Sequence, residues 1–188
     1  TPIFSDAIRY LEFNPTWNVP ARIAAQDLLP KIQKDPAYLT SGGYELYAGY
    51  QDGAPRVDPG TVNWAALPKG RFPYRLRQAP GEKNALGQVK FMFPNKFDVY
   101  LHDTPARELF AKSVRNFSSG CIRLQKPITL AEAMLQADGQ DPARVRAVLD
   151  SKKTTRVNLA TPVPVHLTYL TAWIGEGGTV EFRDDIYG

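Results

Sequence analysis

Hydrophobic and polar positions alternate along several short segments of this 188-residue chain, and the alternation predicts β-strands. The clearest segments are YLEFN near the N-terminus and YRLRQ, GQVKFMF and FDVYLH further along, with APGEKN and PNK as turns between the last three. In the first segment, Leu11 and Phe13 share an apolar face. In DVYLH, Val99 and Leu101 form the better core face, so Tyr100 and His102 lie together on the other face.

Three segments carry a helical pattern. PARIAAQDLLPKIQKDP begins at Pro20, and Pro30 should interrupt it, because an internal proline removes a hydrogen bond and clashes with the preceding turn. PITLAEAMLQ and DPARVRAVLD are amphipathic and each is opened by proline, with Asp141 as the cap of the second. A further short helix is predicted over 106–112, with Thr104 as its cap and Pro105 at its first position.

Strands outnumber helices in this interpretation, and no regular alternation of strand and helix appears. The predicted fold class is therefore mainly β with helical decorations (α+β), rather than a doubly wound sheet. GCIRLQ adds a strand or strand end, and PVHLTYLTAWI and TVEFRDD are predicted to form a closing hairpin around GEGG. Residues 17–73 are rich in turns and predict an irregular, partly helical excursion with an apolar cluster of Val62, Trp64 and Leu67.

Composition narrows the possible chemistry. The hydrophobic fraction of 43% and charged fraction of 22% are typical of a globular domain, and no apolar run is long enough to cross a bilayer. One cysteine excludes an internal disulfide and a multi-cysteine zinc site, and two histidines argue against a histidine-rich metal centre. We therefore expect no metal and no other cofactor.

Charge gives a weaker indication. The net charge is +4, and the segment 105–126 around the cysteine holds five Lys or Arg residues against one glutamate. This local excess suits a substrate that carries carboxylates or phosphates, although a solvated basic face explains it equally well. Nucleic acid is not expected as a partner, because no strand combines aromatic and basic residues as an RNA-recognition motif does.

Cys121 stands alone in the segment NFSSGCIRLQKP. A free cysteine is often a small buried hydrophobe, so a structural role is one interpretation. The second is a reactive thiol: Gly120 lets backbone approach closely, N–H groups at such a turn can bind an oxyanion, and Arg123 can hold a thiolate or an anionic substrate. Local features leave these two interpretations evenly balanced.

A reactive thiol needs a base or an ion-pair partner, and two histidines are available. His102 ends a predicted strand just before a helix start, so it lies at the edge of a sheet. His166 alternates with Val165 and Leu167 and is predicted to point outward from a strand. His102 is the more suitable partner for Cys121.

His102, a gap of fifteen residues, and then SSGCIR at residues 118–123 resemble the signature of the YkuD-type L,D-transpeptidases. That signature is a histidine, fourteen to seventeen residues, then Ser/Thr-His-Gly-Cys-hydrophobic-Asn. Ser119 departs from it where the family has a second histidine, and Arg123 where the family has asparagine. The positions that match are His102, Ser118, Gly120, Cys121 and Ile122.

The resemblance extends over nearly the whole chain, through segments such as NPTWNVP, LPKIQKDPAYL, FPYRLRQAPGEKN, YLHDTP and RDDIYG. These segments are similar to the large periplasmic enzymes of Gram-negative bacteria. The resemblance implies one catalytic domain over 1–188, with a capping or lid subdomain at about 17–73, a catalytic core at about 74–188 and further domains upstream. It also implies a periplasmic location and a role in the cell wall and cell shape.

The resemblance further implies an activity. Cys121 would attack a peptidoglycan tetrapeptide stem between meso-diaminopimelate and D-alanine, forming a thioester and releasing D-alanine. His102 would take the thiol proton, or hold it as an imidazolium–thiolate pair, with the backbone carbonyl of Asp103 orienting the ring. Backbone N–H groups of Gly120 and Cys121 would stabilise the oxyanion. The diaminopimelate amine of a second stem would then attack, giving a 3→3 cross-link.

The same resemblance suggests ligand contacts. Tyr100, Ser119 and Arg123 are predicted to contact the substrate, with Arg123 facing a diaminopimelate carboxylate or positioning the loop. Carbapenems are expected to acylate Cys121, as they do in related enzymes.

Three alternatives remain open. Attack by water on the thioester would make the domain an L,D-carboxypeptidase. Another cysteine hydrolase, such as a papain-like protease, would place the cysteine at a helix N-terminus before its histidine, whereas here the histidine comes first in a strand–loop–strand pattern. An inert peptidoglycan-binding module would carry an unreactive cysteine.

Overall fold

The structure is a computed structural model that describes residues 1–187. Its strands, in chain order, are β1 (Phe4–Phe13), β2 (Trp17–Asn18), β3 (Tyr44–Tyr47), β4 (Arg56–Val57), β5 (Arg75–Gln78), β6 (Val89–Met92), β7 (Leu101–His102), β8 (Ile122–Arg123), β9 (Thr155–Leu167), β10 (Ala172–Ile174) and β11 (Val180–Phe182). They form a five-stranded sheet, a four-stranded sheet and a two-stranded hairpin.

Helices connect and cover these sheets. The α-helices are α1 (Ala21–Ile23), α2 (Leu29–Lys34), α3 (Ala37–Ser41), α4 (Pro127–Ala137) and α5 (Arg144–Asp150), and a π-helical turn (Ala24–Leu28) joins the first two. Short 3₁₀ turns occur at Pro59–Thr61, Trp64–Ala66, Arg107–Ala111 and Glu176–Gly178. Among residues 1–187, no helix has the length and apolar character needed to span a bilayer.

The five-stranded sheet has the order β8-β7-β6-β1-β9 and holds the main core. Leu11 and Phe13 of β1 point to the same side as Val89 and Phe91 of β6, and all four are fully buried against α4 and α5. Burying each such side chain stabilises the fold by about 1.5–3 kcal/mol. The apolar faces predicted for β1 and for Val99 and Leu101 are the buried faces. This architecture confirms the predicted α+β class.

A second hydrophobic cluster lies under the four-stranded sheet, whose order is β2-β5-β3-β4. Leu28, Ile32 and Leu76 are at its centre. The predicted apolar cluster belongs to it: Trp64 is buried, and Val62 and Leu67 pack against it.

The regular α-helix is interrupted directly before Pro30, as predicted, but the helical backbone does not end there. Helical backbone continues from Ala21 to Lys34 through the π turn, in which the Leu29 N–H donates to the Ala24 carbonyl five residues earlier. A π turn contains one residue more than an α turn, so the regular hydrogen-bond pattern is already broken where the proline, which has no N–H, enters the helix.

The helix start predicted at Thr104-Pro105 was misplaced, because the observed turn begins at Arg107. The Arg107 N–H donates to the Pro105 carbonyl, which forms a tight turn, and a 3₁₀ turn follows at Arg107–Ala111. The Thr104 hydroxyl still accepts a hydrogen bond, from the Ala106 N–H at 3.2 Å. At both Pro30 and Pro105, the backbone forms a local turn (a π turn before Pro30 and a tight turn after Pro105) that the position of the proline in the sequence does not reveal.

The closing hairpin is shorter than predicted. PVHL belongs to β9, which pairs with β1 on both sides of a register shift between Ile8 and Tyr10 and so is part of the main sheet. The hairpin consists of β10 and β11. His166 pairs with Ser5 of β1 and is exposed, as predicted for an outward strand residue.

Candidate active site

Parallel pairing of β7 with β8 brings the cysteine to the histidine-bearing strand. The paired residues are Leu101 with Ile122 and His102 with Arg123, so Cys121 lies beside Tyr100. The Ile122 N–H donates to the Tyr100 carbonyl at 3.1 Å, which fixes this register. Because neighbouring residues across a sheet point to the same face, the side chains of Tyr100, His102, Cys121 and Arg123 share one face.

The Cys121 thiol is half-buried, and its contacts are with Asp98 and Tyr100. Sγ donates to the Asp98 carbonyl at 3.7 Å, and the hydroxyl and backbone N–H of Tyr100 both hydrogen-bond to the sulfur. Within residues 1–187 the His102 imidazole is not among the hydrogen-bond partners of the thiol. Burial raises the pKa of the Cys121 thiol, and the hydrogen bonds of Tyr100 and the charge of Lys90 oppose this rise. The resting cysteine is therefore a neutral thiol.

His102 is only 5% exposed, and its Nδ1 donates a hydrogen bond to the Asp103 carbonyl. Since a carbonyl only accepts, Nδ1 carries the proton of the neutral ring and Nε2 is left with a free lone pair. Burial lowers the pKa of His102 to about 4, the Asp103 bond opposes this, and the positive charges of Arg123 and Lys90 add to the lowering. At neutral pH the imidazole is therefore uncharged and able to accept a proton.

Tyr100 connects the thiol and the imidazole. Its ring meets the His102 ring edge-on, with centroids 5.8 Å apart, and the Lys90 ammonium lies 4.8 Å from the Tyr100 centroid. Lys90 is in turn 3.2 Å from the Glu12 carboxylate. Burial raises the pKa of the Tyr100 hydroxyl, and the adjacent Cys121 raises it further, so the hydroxyl stays protonated and can donate to the sulfur.

In the loop before the cysteine, the Ser118 side chain hydrogen-bonds to two backbone groups of the same loop. Gly120 has φ of 143°, a backbone conformation that favours glycine, and its N–H donates to Ser118 Oγ at 3.1 Å. The Ser118 hydroxyl in turn donates to the Cys121 carbonyl at 2.5 Å. The Gly120 N–H, a predicted oxyanion donor, must therefore exchange its serine partner to reach a substrate. Ser119 is exposed.

A cavity of about 300 Å³ opens beside the thiol. Leu109, Phe110 and Phe117 supply apolar walls, and Arg115 and Arg123 supply positive charge. The Arg123 Nε is buried and has no hydrogen-bond partner in the described part of the chain. The cavity thus combines an apolar wall with cations that attract a carboxylate.

The sequence predictions omitted several residues of this site. Lys90 lies opposite His102 in the β6–β7 ladder, and Asp103 uses its buried carboxylate, not only its carbonyl, to bind Arg107. The four-residue spacing of Asp103 and Arg107 was a signal that could have indicated the ion pair. In residues 1–187, no three potential metal ligands converge.

Lowering the pH from 7.5 to 5 should reduce the free energy of unfolding by about 2 kcal/mol through His102 alone. The unfolded chain binds a proton at this residue as the pH falls through about 6.5, whereas the folded pKa is about 4. Protonation therefore favours the unfolded state throughout that interval. Urea unfolding of the wild type and His102→Asn at both pH values measures the difference; an equal pH dependence in the two proteins would contradict the buried neutral imidazole.

These features define a class of protein: an α+β domain in which a strand carries a histidine and the residue just before the adjoining parallel strand is a cysteine on the same face. The family model of the YkuD L,D-transpeptidase catalytic domain matches residues 1–165, and the chain belongs to this family. A protein of Haemophilus influenzae named "Putative L,D-transpeptidase" is 42% identical over 188 residues. The match covers 100% of this chain and 37% of that relative, so the chain spans little more than a third of its length.

Proposed function

We propose that this domain is a peptidoglycan L,D-transpeptidase that forms 3→3 cross-links through a thioester on Cys121. The observation that carries the proposal is the shared face of β7 and β8, on which the one cysteine of the chain lies beside Tyr100 and diagonally across from His102. Membership of the YkuD family supports the reaction class and its peptidoglycan substrate.

The first step is proton transfer between two neutral groups. Burial raises the pKa of the Cys121 thiol and lowers that of His102, and both shifts favour the uncharged forms over an imidazolium–thiolate pair. The thiol turns from the Asp98 carbonyl toward His102 Nε2 as the substrate binds. His102 takes the proton while the sulfur attacks the carbonyl carbon of the L-centre of meso-diaminopimelate.

The tetrahedral intermediate then collapses. Backbone N–H groups of Cys121 and Gly120 bind the oxyanion, the latter after releasing Ser118 Oγ. The C–N bond to D-alanine breaks, and His102 returns its proton to the departing amine. A thioester on Cys121 remains.

The second half-reaction transfers the acyl group. The side-chain amine of diaminopimelate from another stem attacks the thioester carbonyl, His102 accepts the amine proton, and the thiolate is released and reprotonated. Arg123 faces a stem carboxylate, and Tyr100 and Ser119 contact the stem peptide. Carbapenems enter the same site and acylate Cys121.

Transfer is preferred over hydrolysis because the site offers room for two substrates. A second cavity, of about 650 Å³, shares Ile122 and Tyr187 with the cavity beside the thiol. His166 and Tyr169 are among its other lining residues. A carboxypeptidase, which is the second candidate, needs only the first cavity and water.

The remaining features belong to the same proposal. Residues 17–73 act as the lid over the core at 74–188, and they supply most of the second hydrophobic cluster, to which Leu76 of β5 also belongs. The protein works in the periplasm, where its substrate occurs, and takes part there in cell-wall construction.

A purified disaccharide-tetrapeptide tests this function. With wild type, mass spectrometry should show free D-alanine and a cross-linked dimer that is one D-alanine lighter than two substrates. Tripeptide without dimer would assign the domain as a carboxypeptidase. No product from a folded wild-type protein that binds the tetrapeptide would support an inert binding module and contradict the proposal.

A further inference from the structure

We propose that the Asp103 carboxylate and the Arg107 guanidinium form a strap that positions the His102 imidazole by tying the end of β7 to the chain that leaves β8. Arg107 and the Asp103 side chain are positioning residues, since they act on the reaction through His102. The inference rests on the proposed roles of His102 and Cys121, and part of its test is independent of them.

The Asp103 carboxylate is held by three donors. Asp103 is 2% exposed, Oδ1 accepts from the Thr104 N–H at 2.7 Å, and Oδ2 accepts from the Gln88 N–H at 2.8 Å. Arg107 completes the set through an ion pair to Oδ1. A buried carboxylate with this many donors has one orientation, because any rotation leaves an unpaired charge.

The backbone at Gly87 packs tightly against the Asp103 carboxylate. Gly87 has φ of 60°, and a Cβ built there would lie 2.3 Å from Asp103 Oδ2. The Asp103 N–H also donates to the Val89 carbonyl at 2.9 Å. Glycine is therefore required beside Asp103 by both backbone conformation and space.

Arg107 extends from this carboxylate to the chain that leaves β8. While one nitrogen pairs with Asp103, another donates to the carbonyls of Leu124 at 3.4 Å and Gln125 at 2.7 Å. The Leu124 N–H donates to the His102 carbonyl at 2.9 Å. The strap thus closes a ring of contacts that runs from His102 through Asp103, Arg107 and Leu124 back to His102.

This ring controls the proton position on the imidazole. His102 Nδ1 donates to the carbonyl of the same Asp103 whose side chain is fixed, so the carboxylate contacts set the direction of that carbonyl. If Arg107 is removed, the Asp103 peptide can rotate, the Nδ1–H loses its acceptor, and the Nε2–H tautomer becomes populated. That tautomer cannot accept a proton from the thiol at Nε2.

Nitrogen-15 NMR of the imidazoles tests the strap without any substrate. The chain has two histidines, so His166 is an internal reference, assigned with His166→Asn. We expect His102 of the wild type in the Nδ1–H form, a mixture with Nε2–H in Arg107→Ala, and a smaller change in Arg107→Lys, which keeps the ion pair but loses the carbonyl contacts. The matched control is Arg146→Ala, which replaces an exposed arginine on α5 and should give the same imidazole spectrum as the wild type.

The rate of Cys121 acylation by a carbapenem supplies the second readout. Arg107→Ala should be slower by about 10–100-fold, because small misplacements of a reacting group cost factors of this order. Arg107→Lys should be slowed less than Arg107→Ala, and Arg146→Ala should react at the wild-type rate.

The two readouts separate the two proposals. If the wild type is not acylated, the proposed function is contradicted. The His102 tautomer, measured by NMR, still tests the strap in that case. A wild-type tautomer in folded Arg107→Ala, or acylation at the wild-type rate, would overturn the strap. If Arg107→Ala does not fold, Arg107→Lys decides: a shifted tautomer supports the strap, and an unchanged tautomer with an unchanged rate overturns it.

Discussion

Replacing Cys121 with alanine will abolish carbapenem acylation and reduce cross-link formation by about 10⁴-fold or more. The chain contains one cysteine, and its thiol lies at the cavity beside the face it shares with His102. Alanine removes the nucleophile and leaves the backbone N–H groups of the loop in place. Intact-mass spectrometry after incubation with a carbapenem measures the adduct, and the dimer yield from tetrapeptide measures transfer.

Folding must be preserved for this result to have meaning, and the half-buried position of Cys121 makes a large loss of stability unexpected. Equal urea midpoints for the variant and the wild type provide the control. An adduct that survives in Cys121→Ala would transfer the nucleophile to another side chain, with the Ser118 hydroxyl as the first to examine.

His102→Asn should slow acylation at pH 7 by about 10²–10⁴-fold, the contribution typical of a general base. The neutral thiol then has no acceptor for its proton, and burial keeps its pKa above the ordinary value. His166→Asn is the matched control, because this exposed histidine bonds to Ser5 and lines only the second cavity, so it should leave the rate of carbapenem acylation unchanged.

The pH profile separates loss of a base from loss of structure. In the wild type the rate should be level above about pH 5, since His102, with a pKa of about 4, is already neutral there. In His102→Asn the rate should rise about tenfold for each pH unit, because it depends on the thiolate fraction. A level profile in the variant would show that His102 is not the base.

Much of the core was predictable because strand periodicity is a local property. Leu11 and Phe13, like Val99 and Leu101, are buried on the faces that their alternation indicates. The helix through Pro30 was not predictable in this way, since the π turn that accommodates the proline depends on a hydrogen bond pattern five residues long.

The candidate site shows the same division. The sequence predicted Cys121 and His102 as the candidate pair through their resemblance to the YkuD signature, and it placed Tyr100 on the face of His102. The pairing of Tyr100 with the thiol could not be predicted, because it follows from the parallel register of β7 and β8, which joins segments about twenty residues apart. The spacing of Asp103 and Arg107 indicates their ion pair, but the bonds from Arg107 to the carbonyls of Leu124 and Gln125 could not be predicted, because they join segments far apart in the chain.

The uncharged resting thiol has a consequence for oxidation. Peroxides and other oxidants attack the thiolate, so a cysteine with a raised pKa is oxidised to sulfenic acid slowly. Cys121 is half-buried against Asp98 and Tyr100, and in the proposed reaction it would hold its proton until a bound substrate draws it to His102. In the proposed periplasmic location, this slow oxidation would keep the proposed nucleophile chemically intact between turnovers.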